Sequence, residues 1–137
     1  MRDNHYGIKG WIYAGNFSLE RYLYLLQRLS GLCLLFYLGL HLFVTAVRLN
    51  GAAAWTAAMA ATNGPAFTFG DFLVVAGFVF HGLNGLRLVL IELGFCLGKP
   101  ERQDYPYVSC VQKQRPLMYA LMGLAVVLIV VSAIEIL

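Results

Sequence analysis

Two stretches of this chain carry no formal charge over a length that soluble folds seldom bury. Residues 29–47 are nineteen consecutive residues without Asp, Glu, Lys or Arg, and residues 117–134 are eighteen. A helix crosses the hydrocarbon of a bilayer, about 30 Å, with about 20 such residues. Arg28 and Arg48 bracket the first stretch. A third apolar stretch, from about 72 to 97, follows Asp71 and meets Gly98-Lys99-Pro100. Inside hydrocarbon every backbone N–H and C=O must find a partner within the protein, which a helix provides. The chain therefore reads as an all-α membrane protein of one domain, 1–137, with three transmembrane helices at about 22–48, 70–97 and 117–136. Composition agrees: 12% of residues are charged, against about 25% in soluble domains, and the mean hydropathy is +0.69.

The net charge of +3 does not point to nucleic acid, because the basic residues sit at span boundaries, where they set orientation. Lys and Arg are concentrated before the first span and in the 99–116 loop, which carries Lys99, Arg102, Lys113, Arg115 and three prolines. The N-terminus and that loop are therefore expected on the cytoplasmic side, with the C-terminus outside. The first twenty residues lack a continuous apolar core, so no signal peptide is expected and the N-terminus should be retained. Ser18 suits the N-cap of the first helix. Ala-rich residues 49–70 suit a short interfacial helix with Trp55 at headgroup depth, ended by Asn63-Gly64-Pro65. Cys33, Cys96 and Cys110 form no C-x-x-C pair. Covalent haem attachment needs C-x-x-C-H, so any haem here is held without a covalent link.

Chemistry concentrates in residues 77–92, where His81, Arg87 and Glu92 lie inside an apolar run. Ionisable groups within a span usually face the bundle interior and work there. Residues four apart share a helix face. Gly77, His81 and Gly85 thus form one stripe, with Asn84 and Leu88 beside it. An imidazole between two glycines has room for a flat macrocycle and supplies the axial nitrogen that haem iron takes. The same spacing also suits a small-residue packing seam with a histidine hydrogen-bonded across it. Arg87 lies about 240° round the helix from His81. It is placed to meet a carboxylate from a neighbouring helix, a haem propionate or Glu92, or else to snorkel. His5 falls in the polar N-terminal tail, and nothing recommends it as a ligand.

His41 lies within the first span, three residues beyond its midpoint, about 5 Å outward. By the same arithmetic His81 lies four residues outward of the middle of the second span, about 6 Å. Each could bind its own haem with a histidine from another chain, or the two could share one.

Gln27-Arg28-Leu29-Ser30-Gly31 resembles the H-R-x-[ST]-G signature that opens the first span of succinate dehydrogenase cytochrome b subunits. His81-Gly82-Leu83-Asn84-Gly85-Leu86-Arg87, with Glu92 eleven past the histidine, resembles their H-x-x-x-G-x-R…D signature in the second span. Length and span number are similar too. The resemblance implies a membrane anchor of a succinate dehydrogenase or fumarate reductase, within a larger helical bundle shared with a second anchor subunit. It also implies a flavoprotein subunit and an iron–sulfur subunit as partners, and a place in the respiratory chain and the tricarboxylic acid cycle at the cell (inner) membrane. Electrons would pass between the iron–sulfur clusters and membrane quinone.

By this resemblance His81 is an axial ligand of haem b, and the spacing adds Gly77, Gly85 and Arg87 as candidates around that haem. Arg28 lies by the quinone and the haem propionates. His41, thirteen past Arg28, resembles the first-span histidine of two-haem members, which serves the haem farther from the iron–sulfur subunit. Gln27 departs from the usual histidine before the arginine. Tyr24 stands where some members have a quinone-site serine, and a phenol can also donate to a quinone; Ser30 is a further candidate. Glu92 replaces aspartate and keeps its charge.

Two other functions fit the residues. One is a haem-free scaffold whose small-residue spans only dock a partner. The other is a proton-conducting subunit using His41, His81 and Glu92. Against the latter, the third span contributes only Ser132 and Glu135 to a polar path.

Overall fold

The computed structural model describes residues 18–98 and 110–137. The tail bearing His5, the loop bearing Lys99 and Arg102, and the Cys110 side chain lie outside the described residues. Every regular element among the described residues is helical. Helix α1 (Leu19–Ala46) runs into a 3₁₀ turn (Val47–Asn50) and is followed by the short α2 (Ala52–Ala61). Helix α3 (Pro65–Glu92) comes next, and a second 3₁₀ turn (Cys110–Gln114) leads into α4 (Arg115–Ile136). Three segments are long and apolar enough to cross a membrane, Leu19–Asn50, Pro65–Glu92 and Gln112–Ile136, and an 18-residue stretch within each has a mean hydropathy of 1.9, 1.8 and 2.7 respectively. The chain is a multi-pass membrane protein.

The boundaries have local causes. Ser18 holds the N-cap position in an extended conformation, and its carbonyl accepts from the Arg21 N–H at 2.9 Å, but its hydroxyl makes no capping bond. Gly51, at φ +95°, turns the chain between the first 3₁₀ turn and α2. There the Arg48 guanidinium lies over the Trp55 ring, 4.1 Å from its centroid. α2 is thus the short helix expected in 49–70.

α3 begins earlier and ends earlier than the expected 70–97. Pro65 does not merely interrupt: it opens the helix, because a first-turn residue needs no N–H partner and proline's φ is already helical. At the other end Gly94 takes φ +85°. The Phe95 N–H donates to the Leu90 carbonyl and the Gly94 N–H to the Ile91 carbonyl, both at 2.9 Å. This Schellman pair closes the helix at Glu92, five residues before Leu97. α4 likewise starts at Arg115, with Pro116 in its first turn, so the end of the expected 99–116 loop is helical.

α3 lies between α1 and α4 and packs on both. α1 and α4 run parallel and α3 antiparallel, so α1 and α4 begin where α3 ends. This is called the near end below. The interior is sparse and polar. Asn84, Arg87 and Gln114 are buried, beside Leu23, Met118 and Ala125. Large apolar side chains face outward instead, with Phe36 71% and Phe43 80% exposed. That inversion fits a solvent of lipid tails, where packing and hydrogen bonds rather than apolar burial join helices.

Candidate functional site: the His81 seam

The closest approach of α1 to α3 is set by a missing side chain. A Cβ on Gly31 would stand 2.9 Å from His81 Cε1, so the imidazole lies where only glycine leaves room. One residue earlier, Ser30 Oγ is 3.1 Å from His81 Nδ1. The Gln27 carbonyl is 3.2 Å from the same nitrogen and also accepts from Ser30 Oγ–H at 3.1 Å. Nδ1 therefore faces the backbone of α1 at the near end.

The other ring nitrogen, Nε2, meets the Gln27 side chain. Gln27 Nε2 is 3.5 Å away and donates to the His81 carbonyl at 3.2 Å. Gln27 Oε1 accepts from Asn84 Nδ2 at 2.9 Å, and Asn84 Nδ2 also reaches the Leu23 carbonyl at 3.3 Å. Asn84 Oδ1 accepts from Arg87 Nε at 3.0 Å, and Arg87 Nη1 donates to Gln114 Oε1 at 3.0 Å. One line of hydrogen bonds thus runs from α1 through α3 to the mouth of α4. Asn84 is 0% and Arg87 2% exposed, so each depends on these partners.

Arg87 faces α4, away from His81, as its spacing implied. Glu92 is not its partner: it lies exposed at the end of α3. The neutral amides of Asn84 and Gln114 take that place, and Glu20 is the carboxylate whose field reaches Arg87. Glu20 Oε1 accepts from Arg115 Nε at 2.8 Å, which ties the starts of α1 and α4 together. Its Oε2 is buried without a hydrogen-bond partner.

Beyond His81, away from the near end, a partly open apolar cavity of about 520 Å³ lies between α1 and α3. Leu34, Leu38, Val74 and Phe78 wall it, and His81 and Gly82 close one end. Its size falls in the usual range for cofactor sites, about 300–1,000 Å³. The open column expected over Gly77 and Gly85 is occupied instead. A Cβ on Gly77 would touch Leu34 Cδ2 at 3.9 Å, and one on Gly85 would press Gln27 Nε2 at 3.2 Å. The free space lies at Gly82, where a Cβ would meet nothing within 4 Å.

His41 is elsewhere. It is exposed, ten residues past Gly31, and stacks on Tyr37 with centroids 5.8 Å apart. Ten residues of helix are about 15 Å, so the two histidines of one chain cannot take one iron between them. His81 is correspondingly not outward of the middle. It sits level with Gln27 and Ser30, because α3 stops at Glu92 and the midpoint taken from Lys99 was misplaced. Arg28 and Tyr24 form an exposed pair on the flank of α1. Arg28 Nη1 donates to the Tyr24 hydroxyl at 3.3 Å, and the guanidinium lies 5.7 Å from the ring centroid. Ser30 faces His81 rather than this flank.

Gln27, Gln114 and Glu20 were not singled out from the sequence as site residues. Gln27 stood out there only as a departure from a motif, and Gln114 lay in what read as loop. Their signal was positional: polar residues within one turn of a span boundary, opposite an arginine too deep to reach water.

No individual curated protein shows significant similarity to the chain. The family model for succinate dehydrogenase/fumarate reductase transmembrane subunits matches residues 11–134. That range takes in all three spanning helices and the whole His81 seam, and the chain belongs to this family of transmembrane subunits.

Proposed function

We propose that this subunit is a haem b-binding membrane anchor of a succinate:quinone oxidoreductase, relaying electrons between an iron–sulfur subunit and membrane quinone. The observation that carries the reading is His81 at the head of an apolar cavity with its Nδ1 against a backbone carbonyl. Histidines that bind metals commonly donate the other ring N–H to such a group, which fixes the ring and its tautomer. The residues fit a haem: a histidine nitrogen, apolar walls, and open space at Gly82 beside the ring. For His81 Nε2 to ligate, the Gln27 amide has to turn aside. Haem b supplies a one-electron store when bound; the protein's part is to hold and tune it.

His81 is the proposed axial ligand. His41, about 15 Å along α1, is the proposed ligand of a second haem, completed by another chain. Arg87 is too deeply engaged with Asn84 and Gln114 to meet a propionate without giving up a partner. Arg28 and Tyr24, exposed near the start of α1, offer a guanidinium and a phenol to a quinone oxygen. The flavoprotein, the iron–sulfur subunit and a second anchor complete the complex in the cell (inner) membrane. The near end is cytoplasmic in this reading, since Arg21, Arg28, Lys113 and Arg115 gather there and positive charge marks that side. The exposed apolar face of α1 is then covered by lipid and the second anchor.

The test is a pyridine haemochrome count on the purified intact complex, repeated with His81→Ala. One or two haems per copy, reduced by one in the variant, is the expected result. An unchanged haem spectrum in His81→Ala refutes the ligand assignment. Replacing Arg28 with Leu should depress quinone reduction more than succinate oxidation by an artificial acceptor; equal loss in both would indicate failed assembly. A second reading, a haem-free scaffold, draws on Gln27, whose amide satisfies His81 without any metal. A haem count of zero selects it.

A further inference from the structure

The line of hydrogen bonds at the near end has a direction. A guanidinium holds donors only. Arg87 Nε donates to Asn84 Oδ1, so the remaining half of that amide is a donor, and it donates to Gln27 Oε1. Gln27 therefore presents its NH₂ to His81. One hydrogen goes to the His81 carbonyl at 3.2 Å, and the other faces ring Nε2 at 3.5 Å. An NH₂ group faces a ring nitrogen favourably only where that nitrogen holds a lone pair. The proton of the neutral ring then belongs on Nδ1, which faces the Gln27 carbonyl at 3.2 Å.

We propose that Arg87 is a positioning residue for His81. Acting through Asn84 and Gln27, it holds the imidazole with its proton on Nδ1 and its lone pair on Nε2. The competing arrangement is well defined. If the Gln27 amide turned over, its oxygen would accept from an Nε2–H, and the Ser30 hydroxyl, 3.1 Å away, would donate to Nδ1. Arg87 opposes this because the turned amide would set Gln27 Nε2 against Asn84 Nδ2, donor against donor. The Leu23 carbonyl, which accepts from Asn84 Nδ2 at 3.3 Å, and the Gln27 and His81 carbonyls favour the same sense as Arg87, so the test must separate their contribution from its own. The inference rests on the haem-ligand reading only for its purpose, a ring already in the tautomer that ligation through Nε2 needs once Gln27 turns aside. The proton's position is a property of the seam without haem.

The experiment is ¹⁵N-histidine NMR on the full-length chain in bilayers without haem, with His5→Gln and His41→Gln leaving one imidazole to observe. The expected spectrum is a single population protonated at Nδ1. Arg87→Met, and independently Asn84→Leu should the loss of the guanidinium prevent folding, should each add a second population protonated at Nε2. Adding Gln27→Met to Asn84→Leu removes the amide that can turn, and should restore the single population. A loosened seam would not be rescued in that way. An Nε2-protonated ring in the parent chain overturns the proposal. So does a single Nδ1 population surviving in both Arg87→Met and Asn84→Leu, since the carbonyls would then suffice. Haem counted separately on the intact complex keeps the two readings apart: absent haem with an Nδ1–H ring sinks the ligand and spares the relay.

Discussion

The two halves of α1 differ in composition and in what holds them: Glu20, Arg21, Gln27 and Arg28 lie in the near half, and the far half carries no formal charge. From Glu20 to Gly31 the helix is tied to the rest of the chain by Glu20–Arg115, by Asn84 reaching the Leu23 carbonyl and Gln27, and by the imidazole against Ser30 and Gly31. Beyond Leu38 nothing comparable among the described residues holds it: Leu42, Phe43 and His41 are exposed, and His41 touches Tyr37 of its own helix. Hydrophobicity joins neither half to its neighbours, because lipid is as apolar as leucine. Polar groups that must find partners do. The near half is held by obligations settled within the chain, whereas the far half leaves its one titratable side chain open to whatever lies outside it.

Four substitutions would break or sharpen that contrast, read by thermal or denaturant unfolding of the chain in detergent. The largest effect is expected from Arg87→Met, which removes the buried donor and orphans acceptors on Asn84 and Gln114. A loss of about 3 kcal/mol is expected, and a loss below that of His41→Ala would deny the near end its organising role. Gly31→Ala comes next: the methyl must displace the imidazole from a 2.9 Å contact, at about 2 kcal/mol, and it should lower haem retention in the intact complex as well. Glu20→Gln should cost less than either, and its cost should shrink at high salt, because Arg115 is partly exposed and such pairs are screened. A salt-independent penalty would place the pair in a drier setting than its exposure indicates. His41→Ala should change chain stability by less than about 0.5 kcal/mol, yet should cost one haem in the complex if His41 is a ligand. A large stability loss there would erase the difference between the halves.

How far the sequence foretold this depends on which physics each feature uses. The three spans are legible because long apolar runs, two of them without any formal charge, have few other fates in water or lipid. The termini of α3 are not read from hydropathy. Leu93, Phe95 and Leu97 continue the apolar run, but Gly94 in a left-handed conformation ends the helix before them. His81 and Arg87 stood out as ionisable groups in apolar sequence, and Arg87 turned away from His81 as helical geometry requires. The identity of Arg87's partners was beyond reach, since two uncharged amides from different helices satisfy it where a carboxylate was expected. Gln27 shows the limit most clearly. As a motif departure it read as a loss, yet it joins His81 to Asn84, a role that depends on which residues of α1 and α3 stand level.

The helices also differ in length, and length is a mechanical quantity in a bilayer. α1 and α3 have 28 residues each and α4 has 22, about 42 Å and about 33 Å at the rise of an α-helix. Only α4 matches a hydrocarbon layer of about 30 Å. The longer pair must lean, or stand proud of the layer by roughly 10 Å. In α1 the first ten residues hold Glu20, Arg21 and Arg28, so its excess length stands at the near end, and the uncharged stretch 29–47, about 28 Å long, is the part that crosses the layer. The ties around His81 then lie next to the charged boundary of the layer, whereas His41 lies within the stretch that must match its thickness.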